Sequence, residues 1–200
     1  MQDLLLNKRV IAFEGLNGVG KSTLINLVSK KLNDKSITNQ HVHDPLNNSH
    51  WHNLLKQNDF NNPHYLALSY AASSIYTIEY INNNNNNINL VDRSALSTFA
   101  YYLTECGFDW LFDIHKTYKY PSKIFYIYSN EETILRRLKL REKLEKDVLA
   151  QQEINVKLSK NYKHIFKKFK SYGLEIYYIN NTSNDIVSTV HKICEILNKD

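Results

Sequence analysis

Residues 9 to 32 constrain the fold more than any other part of the chain. Arg9-Val-Ile-Ala-Phe-Glu14 is a short apolar run that stops at Gly15, as a strand buried in a parallel sheet would. Gly15-Leu-Asn-Gly-Val-Gly-Lys21-Ser22 fills every fixed position of G-x-x-x-x-G-K-[ST]. From Lys21 to Leu32, residues Leu24, Ile25, Leu27, Val28 and Leu32 recur at helical spacing. Glycines let the backbone wrap phosphates without Cβ clashes. The helix that follows opens with its N–H groups and positive dipole end facing them. Lys21 can reach the β- and γ-phosphates, and the Ser22 hydroxyl can ligate Mg²⁺. The expected ATP-binding residues are Gly15, Asn17, Gly18, Val19, Gly20, Lys21, Ser22 and Thr23.

The alternation continues along the chain. Ser36 to Val42 reads as a short second strand, and Pro63 to Ile81 as a long apolar helix with its proline in the tolerated first turn. Ile88 to Asp92 is the third strand and Ser94 to Glu105 the helix after it. Lys123 to Tyr128 is the fourth strand, and Glu131 to Phe169 is helical with a break near Lys143 to Lys146. Leu174 to Ile179 is the fifth strand and Asp185 to Leu197 the last helix. Strands alternating with helices predict an α/β fold with a parallel sheet. The six asparagines from Asn82 to Asn87 read as a polar surface loop. No repeat or linker divides the chain, so residues 1–200 read as a single domain.

Hydrophobic residues make up 42% of the 200 positions, enough for a real core, and 14 Tyr with 8 Phe predict an aromatic one. The net charge of +5 could signal an anionic partner. Its lysines are scattered instead of gathered into an arm, so they read as solvated helix faces, and no nucleic-acid partner is expected. Cys106 and Cys194 form no CxxC, which predicts no disulfide framework and fits a reducing compartment. His41, His50 and His52 do not make a zinc set by spacing. The apolar patch Leu4 to Leu6 is too short for a signal peptide, and no stretch approaches the roughly 18 apolar residues of a membrane span. The expectation is a cytoplasmic protein that does not enter a membrane.

Proteins with this loop include motors, GTPases and kinases. The base-reading Asn-Lys-x-Asp of a GTPase is absent from any later strand, since Asn198-Lys199-Asp200 has the wrong spacing and place. A motor ATPase would end a strand in Asp-Glu, whereas the third strand here ends Val91-Asp92-Arg93-Ser94.

Phe13-Glu-Gly-Leu-Asn-Gly-Val-Gly-Lys-Ser-Thr23 and Val91-Asp-Arg-Ser-Ala-Leu-Ser-Thr-Phe-Ala-Tyr101 resemble the first motif and the Asp-Arg motif of thymidylate kinases and their deoxynucleoside-kinase relatives. Leu66 to Ala72 resembles the helix lining their acceptor pocket, Glu131 to Arg141 the segment leading into their lid, and Asp147 to Glu153 the stretch after it. The resemblance implies a three-layer nucleoside-monophosphate-kinase fold. Its five parallel strands run in the order 2-3-1-4-5, with helices on both faces and a small lid at about residues 136–147. It implies ATP as co-substrate, Mg²⁺ as cofactor, and dTMP as acceptor. A deoxynucleoside accepting at its 5′-hydroxyl, or a nucleotide-binding module with weak activity, stays open. Relatives pair through helices, so a homodimer is open too.

Asp92 closes a strand beside the loop, where it either joins Ser22 around the metal or caps the next helix. Arg93, one of five arginines in a lysine-rich chain, suits planar contact with an anion, and the resemblance sets it against the acceptor. Arg136, Arg137 and Arg141 share one predicted helix, Arg137 and Arg141 on one face, and the resemblance makes a lid arginine catalytic. Tyr70 either stacks on the acceptor base or belongs to the core. Asp44, before Pro45, is either a turn residue or the general base of a nucleoside kinase. With a phosphorylated acceptor it would have to turn away or pair with a cation such as Lys56. Three positions depart from the thymidylate-kinase pattern: Asn17 where Asp is usual, and His43 and Ser74 where Arg is usual.

Overall fold

Five short strands lie side by side in the order β2-β3-β1-β4-β5, all parallel. They are β1 (Val10–Glu14), β2 (Asn39–His43), β3 (Ile88–Asp92), β4 (Lys123–Tyr128) and β5 (Glu175–Asn180). The computed structural model describes residues 9–47, 49–56, 61–84, 87–121, 123–140, 148–183 and 185–198. Central β1 and β3 are buried at every position, as apolar runs covered on both faces must be, while the edge strands β2 and β5 are only partly covered.

Among the described residues, eight helices connect and cover the sheet: α1 (Lys21–Asn33), α2 (His50–Lys56), α3 (Pro63–Asn82), α4 (Ala95–Cys106), α5 (Phe108–Ile114), α6 (Glu131–Lys139), α7 (Val148–Lys170) and α8 (Ile186–Leu197). Helices α1 and α8 pack together on one face, and α3, α4 and α7 layer the other. Crossovers of one hand that leave β1 in opposite directions require this split. The core is aromatic. The ring of Phe169 (1% exposed) meets Phe99, Phe108, Phe112, Tyr120 and Tyr172 at centroid distances of 4.9 to 6.5 Å.

Capping sets most boundaries. Asn62 accepts from the His64 and Tyr65 N–H groups, with Pro63 in the first turn of α3. Asn130 caps α6, and Glu131 and Glu132 follow in its first turn. Ser94 and Asp185, read from the sequence as the first helical residues, are the caps of α4 and α8. The second strand begins at Asn39, not Ser36, because α1 runs on to Asn33 and Ser36 takes a left-handed turn (φ 57°). Helices α2 and α5 were not anticipated. Each has 7 residues, too short for a period of 3.6 to emerge. The expected break at Lys143 to Lys146, the lid beyond residue 140, and Arg141 lie outside the described residues.

The register decides what meets at the carboxyl edge. Phe13 of β1 stands beside Asp92, and His43 of β2 lies on the other side of that same Asp92. The loop leaving β1 therefore opens next to Asp92, Arg93 and the end of β2.

Candidate active site

The phosphate-binding loop is held from three sides. A Cβ on Gly15, where φ is 137°, would fall 2.2 Å from the Ile127 carbonyl oxygen of β4, so only glycine lets the loop turn there. The Val19 carbonyl accepts from Arg137 Nη1 at 3.1 Å and from Asn181 Nδ2 at 2.8 Å. Gly18 packs under Ile134 and Leu138 of α6. No side chain caps α1, whose N-cap Gly20 is left-handed (φ 96°), and the first-turn N–H groups present an anion site. Lys21 Nζ lies over the loop, donating to the Gly15 and Leu16 carbonyls at 3.0 Å each. Ser22 Oγ donates to Asp92 Oδ2 at 2.6 Å, and Thr23 follows on the exposed side of α1. Ser94, not Asp92, caps α4, so the Asp92 carboxylate is turned to Ser22.

Arg93 is braced by its neighbours. Its backbone is left-handed (φ 75°), an unfavourable state for a side chain of this size. Its N–H nevertheless donates to the Phe13 carbonyl at 3.0 Å. The guanidinium donates to Asn17 Oδ1 at 2.6 Å and Ser97 Oγ at 3.1 Å, and lies 5.8 Å from the Tyr101 ring centroid. Beneath it is Glu14, fully buried, which accepts from Ser94 and Ser97 at 2.7 Å and from Tyr162 at 2.8 Å. Burial raises the Glu14 pKa, opposed by the positive charge of Arg93 and by those hydroxyls.

Two cavities adjoin Arg93. One, of about 540 Å³, runs over Gly18, Gly20, Lys21, Ser22 and Asp92. The other, of about 310 Å³, lies between Asp44, Tyr70, Ser74, Tyr101 and Tyr102. Asn17, Asp44, Pro45 and Arg93 line both. Tyr70 is thus a wall residue, its ring 6.2 Å from that of Tyr102. Asp44 neither turns from the cavity nor takes a cation among the described residues; the Lys56 side chain lies outside them. It accepts from Ser74 Oγ at 2.6 Å and Thr77 Oγ1 at 3.3 Å. Burial pushes its carboxyl up to about 7, against the pull of those hydroxyls. Ser74, standing where the resemblance implies Arg, thus serves as the partner of Asp44.

Nearly all the residues singled out in the sequence converge here. Of the candidate lid arginines among the described residues, Arg137 reaches the loop, whereas Arg136 is exposed on α6. Among the contributors that escaped the sequence reading are Glu14, Thr77, Ser97, Tyr101, Tyr162 and Asn181. Only Glu14 carried a signal, as a carboxylate ending an otherwise apolar buried strand.

A parallel sheet that places this loop and an arginine-gated second cavity at its carboxyl edge defines a nucleotide kinase. The thymidylate kinase family model matches residues 13–193. A probable thymidylate kinase of Methanococcus aeolicus is 27% identical over 195 residues, 96% of this chain and 95% of that one. One from Sulfurisphaera tokodaii is 28% identical over 133 residues, 66% and 69% of the two chains. The thymidylate kinase structure from Candida albicans has a TM-score of 0.75 at 20% identity, covering 96% of this chain and 91% of that one, a likeness of fold. The chain belongs to the thymidylate kinase family, whose reaction moves the γ-phosphoryl group of ATP to dTMP.

Asp44 gives this site a pH signature. Unfolded, its carboxyl returns to about the ordinary 3.8, so the folded form binds the proton more tightly. The stability this confers is present below about pH 4 and fades as pH rises through about 7. Asp44→Asn, neutral throughout, should gain stability relative to the native chain between those limits, by roughly 4 kcal/mol at most. Urea unfolding of both proteins at about pH 5 and about pH 8 measures it, and a pH-independent difference would contradict the assignment.

Proposed function

We propose that phosphoryl transfer from ATP to dTMP takes place at the junction of the two cavities. The triphosphate lies in the loop and the acceptor in the tyrosine-walled cavity. The observation that carries this reading is Arg93, fixed by Asn17 and Ser97 between the two spaces. From there its guanidinium can hold the acceptor phosphate, a bidentate match of fork to phosphate. Tyr70 flanks the base. Asp44, whose carboxyl burial raises to about 7 against the pull of Ser74 and Thr77, carries less than a full charge near neutral pH and so repels a doubly charged phosphate less.

Lys21, at the Gly15 and Leu16 carbonyls, and Arg137, at the Val19 carbonyl, both reach the loop and would neutralise the charge that spreads over the transferring group. Ser22 and Asp92 form an all-oxygen pair suited to Mg²⁺. When bound there, Mg²⁺ would offset the negative charge of the β- and γ-phosphates. Among the described residues no helix is long and apolar enough to cross a membrane. With Cys106 and Cys194 both unbridged, we place the enzyme in the cytoplasm, acting on small molecules and as one unit over residues 1–200.

Helix α3 supports pairing. Tyr65, Leu68, Tyr76 and Tyr80 are 38 to 49% exposed and fall on one side of it, an apolar stripe of the kind that marks an interface. Light scattering in solution should find twice the chain mass, reduced to the single-chain mass by Leu68→Glu; a single-chain mass for the native protein would remove the proposal.

Kinetics test the assigned roles. Lys21→Ala should keep the fold and lower kcat by on the order of 10³-fold. Arg137→Ala should lower kcat more than it raises KM for ATP, because its contact strengthens in the transition state. Asp44→Asn should leave kcat with dTMP within a fewfold of native, since no general base is lost. A fall in kcat of about 10²-fold in the Asn variant would instead mark Asp44 as a base.

A further inference from the structure

We propose that the carboxyl edge of β2 and β3 carries a second cation site, formed by His41, His43 and Asp92 and suited to a borderline-soft divalent transition ion such as Zn²⁺ or Co²⁺. His41 and His43 alternate along an edge strand and so share one face. The register sets His43 directly beside Asp92, with His43 Nδ1 3.9 Å from Asp92 Oδ2. The two imidazoles lie 4.5 Å apart, centroid to centroid. One donor atom from each of the three side chains falls within 4.8 Å of the others. Ligands about 2.0–2.2 Å from a common ion are separated by at most about 4 Å, so modest side-chain rotations close the set.

The state of His41 points the same way. Its Nδ1 lies 3.1 Å from Asn26 Oδ1 on α1, an acceptor, so in the neutral ring Nδ1 carries the hydrogen. The lone pair is then on Nε2, which is buried and has no hydrogen-bond partner among the described residues. A buried acceptor left without a partner is costly. A metal-ligating histidine shows this arrangement, with its second nitrogen donating to an oxygen that fixes the tautomer and ring orientation. Two imidazoles and one carboxylate suit Zn²⁺ or Co²⁺, whereas Mg²⁺ requires oxygen donors.

Asp92 Oδ2 also accepts the Ser22 hydroxyl. An ion at the histidines therefore draws on the carboxylate we assign to Mg²⁺, and its arrival would slow phosphoryl transfer. This consequence rests on the reading of Ser22 and Asp92 given above; the metal site itself does not.

Tag-free full-length protein, without nucleotide, is titrated with Co²⁺ while visible ligand-field absorption is recorded. Saturation at one ion per chain, with the intense bands of a low-coordinate nitrogen–oxygen site, is expected. His41→Gln and His43→Gln, checked for folding by circular dichroism, should each weaken binding by on the order of 10–100-fold or more, and Asn26→Ala by about 10-fold. His50→Gln should leave it unchanged. Absorption no different from the hydrated ion, or equal binding by the native protein and both histidine variants, would overturn the proposal. In a second arm, Zn²⁺ is added to the reaction with ATP, Mg²⁺ and dTMP. Half-inhibition should require at least about 10-fold more Zn²⁺ in His41→Gln than in the native enzyme. Inhibition at equal Zn²⁺ concentrations would sever the site from catalysis. Failure to turn over dTMP would count against the assigned reaction and leave the cobalt result standing.

Discussion

A buried carboxylate organises the carboxyl edge of this sheet. Glu14 ends β1 with no exposure to water, and its cost of burial is offset by three hydroxyls and a nearby cation. Ser94 and Ser97 belong to the start of α4, and Tyr162 to the middle of α7. One side chain therefore ties the strand that launches the phosphate-binding loop to two helices on one face. Ser97 also accepts from Arg93, whose other contact is Asn17 in the loop itself. The left-handed backbone of Arg93 is tolerated because its N–H and its guanidinium are both held. The guanidinium is thereby fixed between the two cavities before any substrate arrives, as electrostatic catalysis requires.

The acceptor cavity follows a different electrostatic solution from the one its family resemblance implies. Among the described residues lining it, Arg93 is the cation; Ser74 in its wall and His43 in the neighbouring cavity stand where the resemblance implies arginine. The compensation is on the acidic side. Burial raises the Asp44 carboxyl to about 7 against the pull of its two hydroxyl partners, so near neutral pH it carries less than a full charge and fewer cations are needed to admit a phosphate. A full negative charge at that point would repel the acceptor phosphate by roughly 1 kcal/mol at 4 Å in water, and by more in a cavity that excludes it.

Much of this was legible in the sequence, because the strongest signals are local. The glycine spacing of the loop, the apolar runs of β1, β3 and β4, and the period of α1 each lie within a few residues of one another. Lys21, Ser22, Asp92 and Arg93 could be assigned together for that reason. Tertiary pairs were not legible. Glu14 and Tyr162 are 148 residues apart, and Asn181 and Val19 are 162 apart, so no window contains both partners. Asp44 looked like an unscreened charge because its hydroxyl partners sit 30 and 33 residues away on α3. His41 was weighed with His50 and His52, its neighbours in sequence. Strand pleat and sheet register set it instead beside His43 and Asp92.

The central claim is that Arg93, beside an Asp44 whose charge burial diminishes, admits an acceptor that already bears a phosphate. The most direct measurement is ADP release with ATP and Mg²⁺, comparing kcat/KM for dTMP and thymidine in the same preparation at about neutral pH. The account predicts turnover of dTMP with thymidine poorer by at least about 10²-fold, because thymidine leaves the Arg93 guanidinium without its anion. Thymidine turned over as well as dTMP, or better, would contradict it and return Asp44 to the role of general base.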